Sequence, residues 1–468
     1  MSTEHYDLIV IGSGPAGQKA AIQASKFGKR VALVEKTKEI GGSCVHRGTI
    51  PSKTLRENAL RIKNMRAIAE IANFKLNEDL QLSTLINRLE EVLAAHDSYM
   101  QKQLERNEIS IIHGRAKFLS HKQIEVTFLG GAKKIIDADY FVISTGSYPR
   151  HPDNIPIDHE YLFDSDSILS TLYLPKSLTV LGGGVIASEY ASIFQALGVK
   201  VTMIDKYPCP LGFLDSDLTD RFTHAFEKMG GTWIGNKTVK TAYWNNADAV
   251  VCECEDGTIV KSDKLLCAAG RLACVKELDI EKAGLKLSNR GLIDVDENLK
   301  TAVANIYAAG DVIGPPSLAS ASMEQGRRAA INAFGESSGA MQTLLPAGIY
   351  SIPELSSVGL SEAQAIKEYG EIVVGKANFD EVARGQISGI QDGLLKIICD
   401  AQGLKVLGIV IIGEGATELI HIGQMALLSN ANVDIFVESI FNFPTLAEAY
   451  RVAALDVIGQ RDIKSAAY

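Results

Sequence analysis

The 468-residue chain lacks any apolar run long enough to cross a bilayer. Its most apolar stretches, residues 8–11 and 406–412, end after a few residues and are expected to be buried strands, which leaves no membrane partner. The start, Met1-Ser2-Thr3-Glu4-His5, carries neither the charged n-region nor the apolar h-region of a secretory signal. Clustered basic residues are missing as well: the net charge is -9, and binding a phosphate backbone needs grouped Lys and Arg, so no nucleic-acid partner is expected. Cysteine is sparse. The seven (Cys44, Cys209, Cys252, Cys254, Cys267, Cys274 and Cys399) are odd in number and irregularly spaced. A chain this long needs no disulfide staples, so a reducing cytoplasm is the expected location. Cys252 and Cys254 fall on one face of an alternating strand, but no second Cys or His pair accompanies them; core packing is expected there and no metal site.

What is present is two copies of one pattern. Asp7-Leu8-Ile9-Val10-Ile11 is a buried strand that runs into Gly12-Ser13-Gly14-Pro15-Ala16-Gly17. A helical pattern follows over 20–27, then a second strand ends in Glu35. In such a G-x-G-x-x-G unit Gly12 permits the tight turn, Gly14 lets backbone approach a pyrophosphate, and Gly17 allows close helix–strand packing. The helix N-terminus adds partial positive charge, and Glu35 stands where an acid bonds ribose hydroxyls. The second copy reads Gly182-Gly183-Gly184-Val185-Ile186-Ala187, with a strand over 199–204 ending in Asp205. Gly182 and Asp205 are separated by as many residues as Gly12 and Glu35. Two such units imply two bound dinucleotides, and the length leaves room for roughly three domains at about 150 residues each.

Asp205 bears on which nucleotide binds second. An acid there favours the free ribose diol of NAD and repels the 2′-phosphate of NADP. At 4 Å a unit-charge pair is worth roughly 1 to 4 kcal/mol, on the order of five- to a thousandfold in affinity. Lys206 and Lys200 lie near enough in sequence to offset that repulsion, so both NAD and NADP are expected.

The stretch Gly41-Gly42-Ser43-Cys44-Val45-His46-Arg47-Gly48-Thr49-Ile50-Pro51-Ser52-Lys53 resembles the redox segment of the flavoprotein disulfide reductases, G-G-T-C-x-x-x-G-C-x-P-S-K. Thr301 to Asp311 resembles that family's T-x-x-x-x-I-Y-A-x-G-D run, and Ser144-Thr145-Gly146-Ser147 its A-T-G-S turn. The resemblance spans essentially the whole chain. It implies an α/β fold with two Rossmann-like dinucleotide-binding domains and a C-terminal α+β dimerisation domain. The FAD-binding domain covers 1–150 and 275–345, the NAD(P)-binding domain 151–274, and the interface domain 346–468, which builds a homodimer or larger homo-oligomer. It implies FAD contacts at Gly12, Gly14, Gly17, Glu35, Lys36, Gly42, Cys44, Lys53, Gly114, Ala116, Gly146, Asp311 and Ala319. NAD(P) contacts are implied at Gly182, Gly184, Ala187, Glu189, Asp205, Lys206 and Gly270. Lys53 is implied to lie beside the flavin N5 and to pair with Glu189.

Two departures separate the chain from that family's usual chemistry. Thr49 replaces the second cysteine of the redox disulfide, and a thiol with a hydroxyl makes no dithiol. The family's H-P-T-x-x-E reads Phe443-Pro444-Thr445-Leu446-Ala447-Glu448 here. Phe443 has no titratable group to serve as base, while Glu448 keeps the family's glutamate. One subgroup, the soluble pyridine nucleotide transhydrogenases, resembles the chain in Gly48 to Lys53 and in Phe441 to Leu455. It implies hydride transfer from NADPH to NAD through FAD in a ping-pong cycle. An NAD(P)H dehydrogenase with a quinone or other acceptor, and a flavin redox sensor, are the alternatives; dihydrolipoamide dehydrogenase activity ranks last. Cys44 is read as a packing residue, with a lone thiol that modulates the flavin as the other reading. Cys274 stands where the family often has asparagine.

Overall fold

A computed structural model describes residues 4–73, 82–171, 173–390 and 392–466. The strand Glu4–Ile11 buries Leu8, Ile9, Val10 and Ile11. It pairs in parallel with Val31–Glu35 on one side and Lys133–Ile143 on the other. A parallel strand is covered on both faces, which is why the run is continuously apolar rather than alternating. Ser110–His113 extends this sheet at one edge, and Gln123–Thr127 and Arg115–Ser120 extend it at the other. Ile306–Ala308 joins the end of Lys133–Ile143.

The helix after the first glycine loop runs Pro15–Lys26, five residues ahead of the expected start. Proline at the first helical position has its φ already set and no N–H to leave unpaired, so the helix begins as soon as the glycine turn ends. It packs against Ala319–Ala333 backbone to backbone: a Cβ on Gly326 would lie 1.9 Å from the Ala16 carbonyl oxygen. A helical excursion, Thr49–Ala72 and Leu82–Arg106, whose two helices pack on one another, leaves the first unit; residues 74–81 lie outside the described residues. It carries a structural bond that the sequence does not announce. Arg66 donates to the carbonyls of Ala196 and Leu197, closing the end of the helix Val185–Ala196.

A second parallel sheet orders Thr232–Ile234, Lys200–Ile204, Ser177–Leu181, Lys264–Cys267 and Leu162–Asp164. An antiparallel layer, Val239–Trp244, Val250–Cys254 and Ile259–Ser262, lies over it and buries Cys252 and Cys254 in the shared core. Burial pushes the Cys252 thiol up to about 12. The chain enters this unit along Ser147–Pro149 and leaves along Arg271–Ala273, and those two strands pair antiparallel. Two Rossmann-like sheets therefore share one narrow ribbon.

The C-terminal sheet is antiparallel, in the order Ala347–Ile349, Leu355–Gly359, Val406–Ile412, Leu394–Asp400, Ile372–Asn378. Ile397, Ile409 and Ile411 face Ala416–Leu428 and Glu448–Ala466. The opposite face is also covered. Leu394, Val410 and Ile412 pack on Leu218 and Phe222 of Ser216–Lys228, a helix of the middle unit.

At that junction Lys396 is fully buried among carboxylates. Its ammonium lies 2.8 Å from Asp215, 2.8 Å from Asp217 and 2.5 Å from Glu362. Burial disfavours the charge, but the hydrogen bonds to Asp215, Asp217 and Glu362 outweigh it and raise the pKa. A raised pKa means that this contribution is complete below the ordinary lysine value of about 10.4 and is lost only as pH climbs through the folded value. Lys396→Met leaves the buried Asp215 carboxylate without its ion-pair partner and is expected to cost about 3–5 kcal/mol, measured by denaturant unfolding at neutral pH.

Candidate active site

The two glycine loops are built alike. In the first, a Cβ on Gly17 would come 1.9 Å from the Gly12 carbonyl oxygen, so helix and turn touch without room for a side chain. A Cβ on Gly14 would meet nothing within 4 Å. Gly14 therefore faces open space at the helix N-terminus, where backbone N–H groups gather partial positive charge. Glu35 takes Ser13 N at 2.9 Å and Ser13 Oγ at 2.7 Å on one oxygen, and Thr37 N at 2.9 Å on the other. In the second loop Gly184 likewise faces open space, Ala187 is buried, and Asp205 accepts from the Gly183 amide, the counterpart of Ser13. Each terminal acid is thus folded back over its own glycine turn.

Lys206 is exposed beside Asp205, with its ammonium 5.1 Å from the centre of the Tyr207 ring. The expectation for Lys200 is corrected. It opens the strand Lys200–Ile204 while Asp205 follows its end. Five strand steps separate them by roughly 16 Å, beyond the ~10 Å screening length at 0.1 M salt. Lys200 does not offset the charge of Asp205.

Gly42 lies against the Gly14 turn, its added Cβ 3.0 Å from Gly14 Cα. From there the short helix Gly42–His46 carries Cys44 and the helix Thr49–Ala72 carries Thr49 and Lys53. Burial pushes the Cys44 thiol up, while the Thr49 hydroxyl that hydrogen-bonds it and the Lys53 charge pull more weakly the other way. The thiol is therefore protonated at neutral pH, a poor nucleophile, and its partner is a hydroxyl.

Lys53 is the centre of the cluster. Its Nζ lies 2.6 Å from Glu189 Oε2, joining the first unit to the middle one. Glu189 is buried. Its second oxygen accepts Tyr350 N at 2.9 Å, and the Lys53 ammonium stands 4.9 Å from the centre of the Tyr350 ring. Tyr350 stands in the sequence at the start of the interface-domain run Tyr350-Ser351-Ile352-Pro353, with nothing in its spacing that assigns it to this cluster.

Asp311 accepts Ser147 Oγ at 2.6 Å, and Ser147 Oγ in turn accepts Arg271 Nε at 2.9 Å. The ribbon between the sheets is thereby tied to the Asp311 carboxylate. Thr145 Oγ1, one residue before Gly146, is buried without a partner among the described residues. Gly146 and Gly270 both have φ in the left-handed region and open space where a Cβ would stand. Ala319 starts the helix that packs against Pro15–Lys26. Gly114 continues from the Glu35 strand through its amide to the Glu35 carbonyl, and Ala116 is buried. Lys36 and Gly114 line a cavity of about 260 Å³ with Thr127, Phe128 and Leu129.

Among the described residues Glu448 is not joined to this cluster by any hydrogen bond or ion pair. Its carboxylate accepts Thr445 N at 3.3 Å at the start of its own helix. Phe443 is 75% exposed and Ile440 96% exposed, an apolar tip projecting from the C-terminal unit.

Residues 6–326 match the pyridine nucleotide-disulphide oxidoreductase family model, and residues 345–454 match that family's dimerisation domain. The chain is 41% identical to a soluble pyridine nucleotide transhydrogenase of Mycobacterium bovis (strain BCG / Pasteur 1173P2), covering 97% of each. It is 39% identical to one of Pseudomonas aeruginosa (strain LESB58), covering 97% of this chain and 99% of that protein. Among solved structures, LpdA from Mycobacterium tuberculosis superposes with a TM-score of 0.89 at 25% identity, over 97% of this chain and 99% of that one. A copper(II) complex of RclA, an HOCl-induced flavoprotein disulfide reductase from Escherichia coli, superposes with a TM-score of 0.88 at 27% identity, over 97% and 99%.

The open faces of Gly14 and Gly184 make the two loops separable by mutation. Gly184→Ala is expected to fold with stability within about 1 kcal/mol of the parent while weakening NADH binding at least tenfold, read by equilibrium titration. Gly17→Ala, which drives a methyl into the Gly12 carbonyl, is expected to lower the melting temperature. Cys44 should react with iodoacetamide more slowly than free cysteine at pH 7.5, with the rate rising steadily toward pH 10; the alkylated fraction by mass spectrometry checks this.

Proposed function

Because the chain belongs to the pyridine nucleotide-disulphide oxidoreductase family, we propose that it is a soluble pyridine nucleotide transhydrogenase that moves hydride from NADPH to NAD through FAD. The observation that carries this reading is Thr49 standing in place of a second cysteine beside Cys44. The lysine–glutamate pair is intact beside a position where no disulfide can form, so electrons have no thiol relay to follow.

The residues fit FAD. The open face of Gly14 at a helix N-terminus suits a pyrophosphate, Glu35 a ribose diol, and the orphaned Thr145 hydroxyl and the Asp311 carboxylate a polar chain. Lys53 is assigned to the flavin edge, and Lys36, Gly114 and Ala116 to the adenine end. Bound FAD supplies two-electron chemistry that lets two nucleotides react in turn at one place. The chain's own residues do the rest. Lys53 sets a positive charge at the reacting edge, and Glu189 fixes the lysine from the nucleotide side. Gly184 and the helix Val185–Ala196 hold the incoming pyrophosphate, and Gly270 lets the ribbon close over the nicotinamide.

Asp205 favours the NAD ribose, and Lys206 supplies the nearby cation that admits the 2′-phosphate of NADP. The C-terminal unit pairs two chains, which covers the apolar tip at Ile440 and Phe443, and the assembly works in the cytoplasm. Among the described residues no helix is long and apolar enough to cross a membrane.

Purified holoenzyme mixed with NADPH and thio-NAD is expected to reduce thio-NAD without added dithiol, with parallel double-reciprocal plots. Lipoamide should be reduced at a negligible rate. Bleaching of the flavin by NADPH without transfer to thio-NAD would overturn the assignment in favour of another acceptor. Asp205→Asn is expected to lower KM for NADPH about fivefold, one such charge pair at the water-exposed limit, with kcat little changed.

A further inference from the structure

We infer that Tyr350 is a positioning residue that holds the Lys53 ammonium in place and thereby raises the reduction potential of the bound flavin. The inference rests on the assignment of Lys53 to the flavin edge. Lysine is a flexible four-carbon stem with three rotatable donors, so a lysine that must present its charge at one point has to be held there. The donors of Lys53 are met by Glu189 at 2.6 Å and, more weakly, by Ser52 Oγ at 3.3 Å. Another side of the ammonium meets the face of the Tyr350 ring, whose centre lies 4.9 Å from Nζ. An aromatic face attracts a cation without neutralising its formal charge. That distinguishes it from Glu189, which brings a full negative charge to the same site.

Tyr350 is itself fixed from several directions. Its amide donates to Glu189 Oε1 at 2.9 Å. Arg56 Nε donates to the carbonyl of the next residue, Ser351, at 3.0 Å. Thr417 Oγ1 donates to Glu354 at 2.9 Å, and Glu354 pairs with Arg56 at 2.8 Å. Arg56 lies one turn after Lys53 on the same helix. The contacts thus run in a closed circuit, from Lys53 through Glu189, Tyr350, Ser351 and Arg56 back to the Lys53 helix. The backbone that carries the ring is tied to the helix the ring faces. A cation held near a group that gains negative charge on reduction stabilises the reduced form, so loosening the lysine moves the equilibrium toward the oxidised form.

The test is the two-electron midpoint potential of bound FAD, measured on holoenzyme against reference dyes for the parent and for Tyr350→Phe, Tyr350→Leu, Lys53→Met and the double variant Lys53→Met/Tyr350→Leu. Tyr350→Leu keeps the amide bond to Glu189 and removes only the ring and hydroxyl. It is expected to shift the oxidised-to-reduced equilibrium about tenfold, a potential ~30 mV more negative. Tyr350→Phe is expected to stay near the parent, and Tyr350→Leu to add nothing in the Lys53→Met background. A Tyr350→Leu potential equal to the parent's, or a shift that persists without Lys53, overturns the inference while leaving the assignment of Lys53 standing. No shift on Lys53→Met overturns both. Tyr350→Met, a flexible chain of similar reach, serves in the same comparison if the leucine variant does not fold.

Discussion

One ion pair sets the geometry that the rest of the molecule must respect. Lys53 comes from the helix that follows the redox segment, and Glu189 from the helix that follows the second glycine loop. Their heavy atoms are 2.6 Å apart with the carboxylate almost out of water. Withdrawing a carboxylate from solvent is costly unless a partner and further hydrogen bonds meet it. Lys53 meets one oxygen and the Tyr350 amide the other. Each of the three units contributes one group, so none of them can shift without leaving a buried charge exposed to its neighbours. The bonds from Arg56 to Ser351 and Glu354, and from Ile352 N to Ser192 Oγ, hold the same junction a few ångströms away.

A second buried cation, Lys396, repeats the principle on the far side of the middle unit. Its carboxylates come from the cap of the helix Ser216–Lys228 and from the start of the helix Glu362–Tyr369. The loop from Asp205 to Asp215 is therefore pinned at both ends, by the Gly183 amide at one and by Lys396 at the other. Leu211 N adds a bond to the Gly183 carbonyl at 2.7 Å in between. The segment proposed to choose between the nucleotides is held from two units.

The sequence carried the nucleotide-binding frame because that frame is local. A strand, a glycine turn, a helix and a terminal acid occupy one short stretch, and the chemistry at Gly12, Gly14, Gly17 and Glu35 follows from backbone requirements that spacing alone expresses. The loss of the dithiol was legible for the same reason: Cys44 and Thr49 lie five residues apart. What spacing does not express is the meeting of distant segments. The burial of Glu189, the role of Tyr350 and the pairing of Lys396 with Asp215 and Asp217 all depend on contacts across more than a hundred residues. Lys200 shows the converse error. Five residues is near along the chain, yet an extended strand turns that separation into a distance at which its charge no longer matters.

The ribbon of Ser147–Pro149 and Arg271–Ala273 has a consequence for the order in which the protein is made. Ile306–Ala308 completes the first sheet, yet it is encoded after the whole of the middle unit. During synthesis the second Rossmann-like sheet has all of its strands while the first still waits for one of its own. The nascent first unit must leave one edge of the end of Lys133–Ile143 without its strand partner until more than a hundred and fifty further residues have left the ribosome, so the inserted unit is finished before the unit that encloses it.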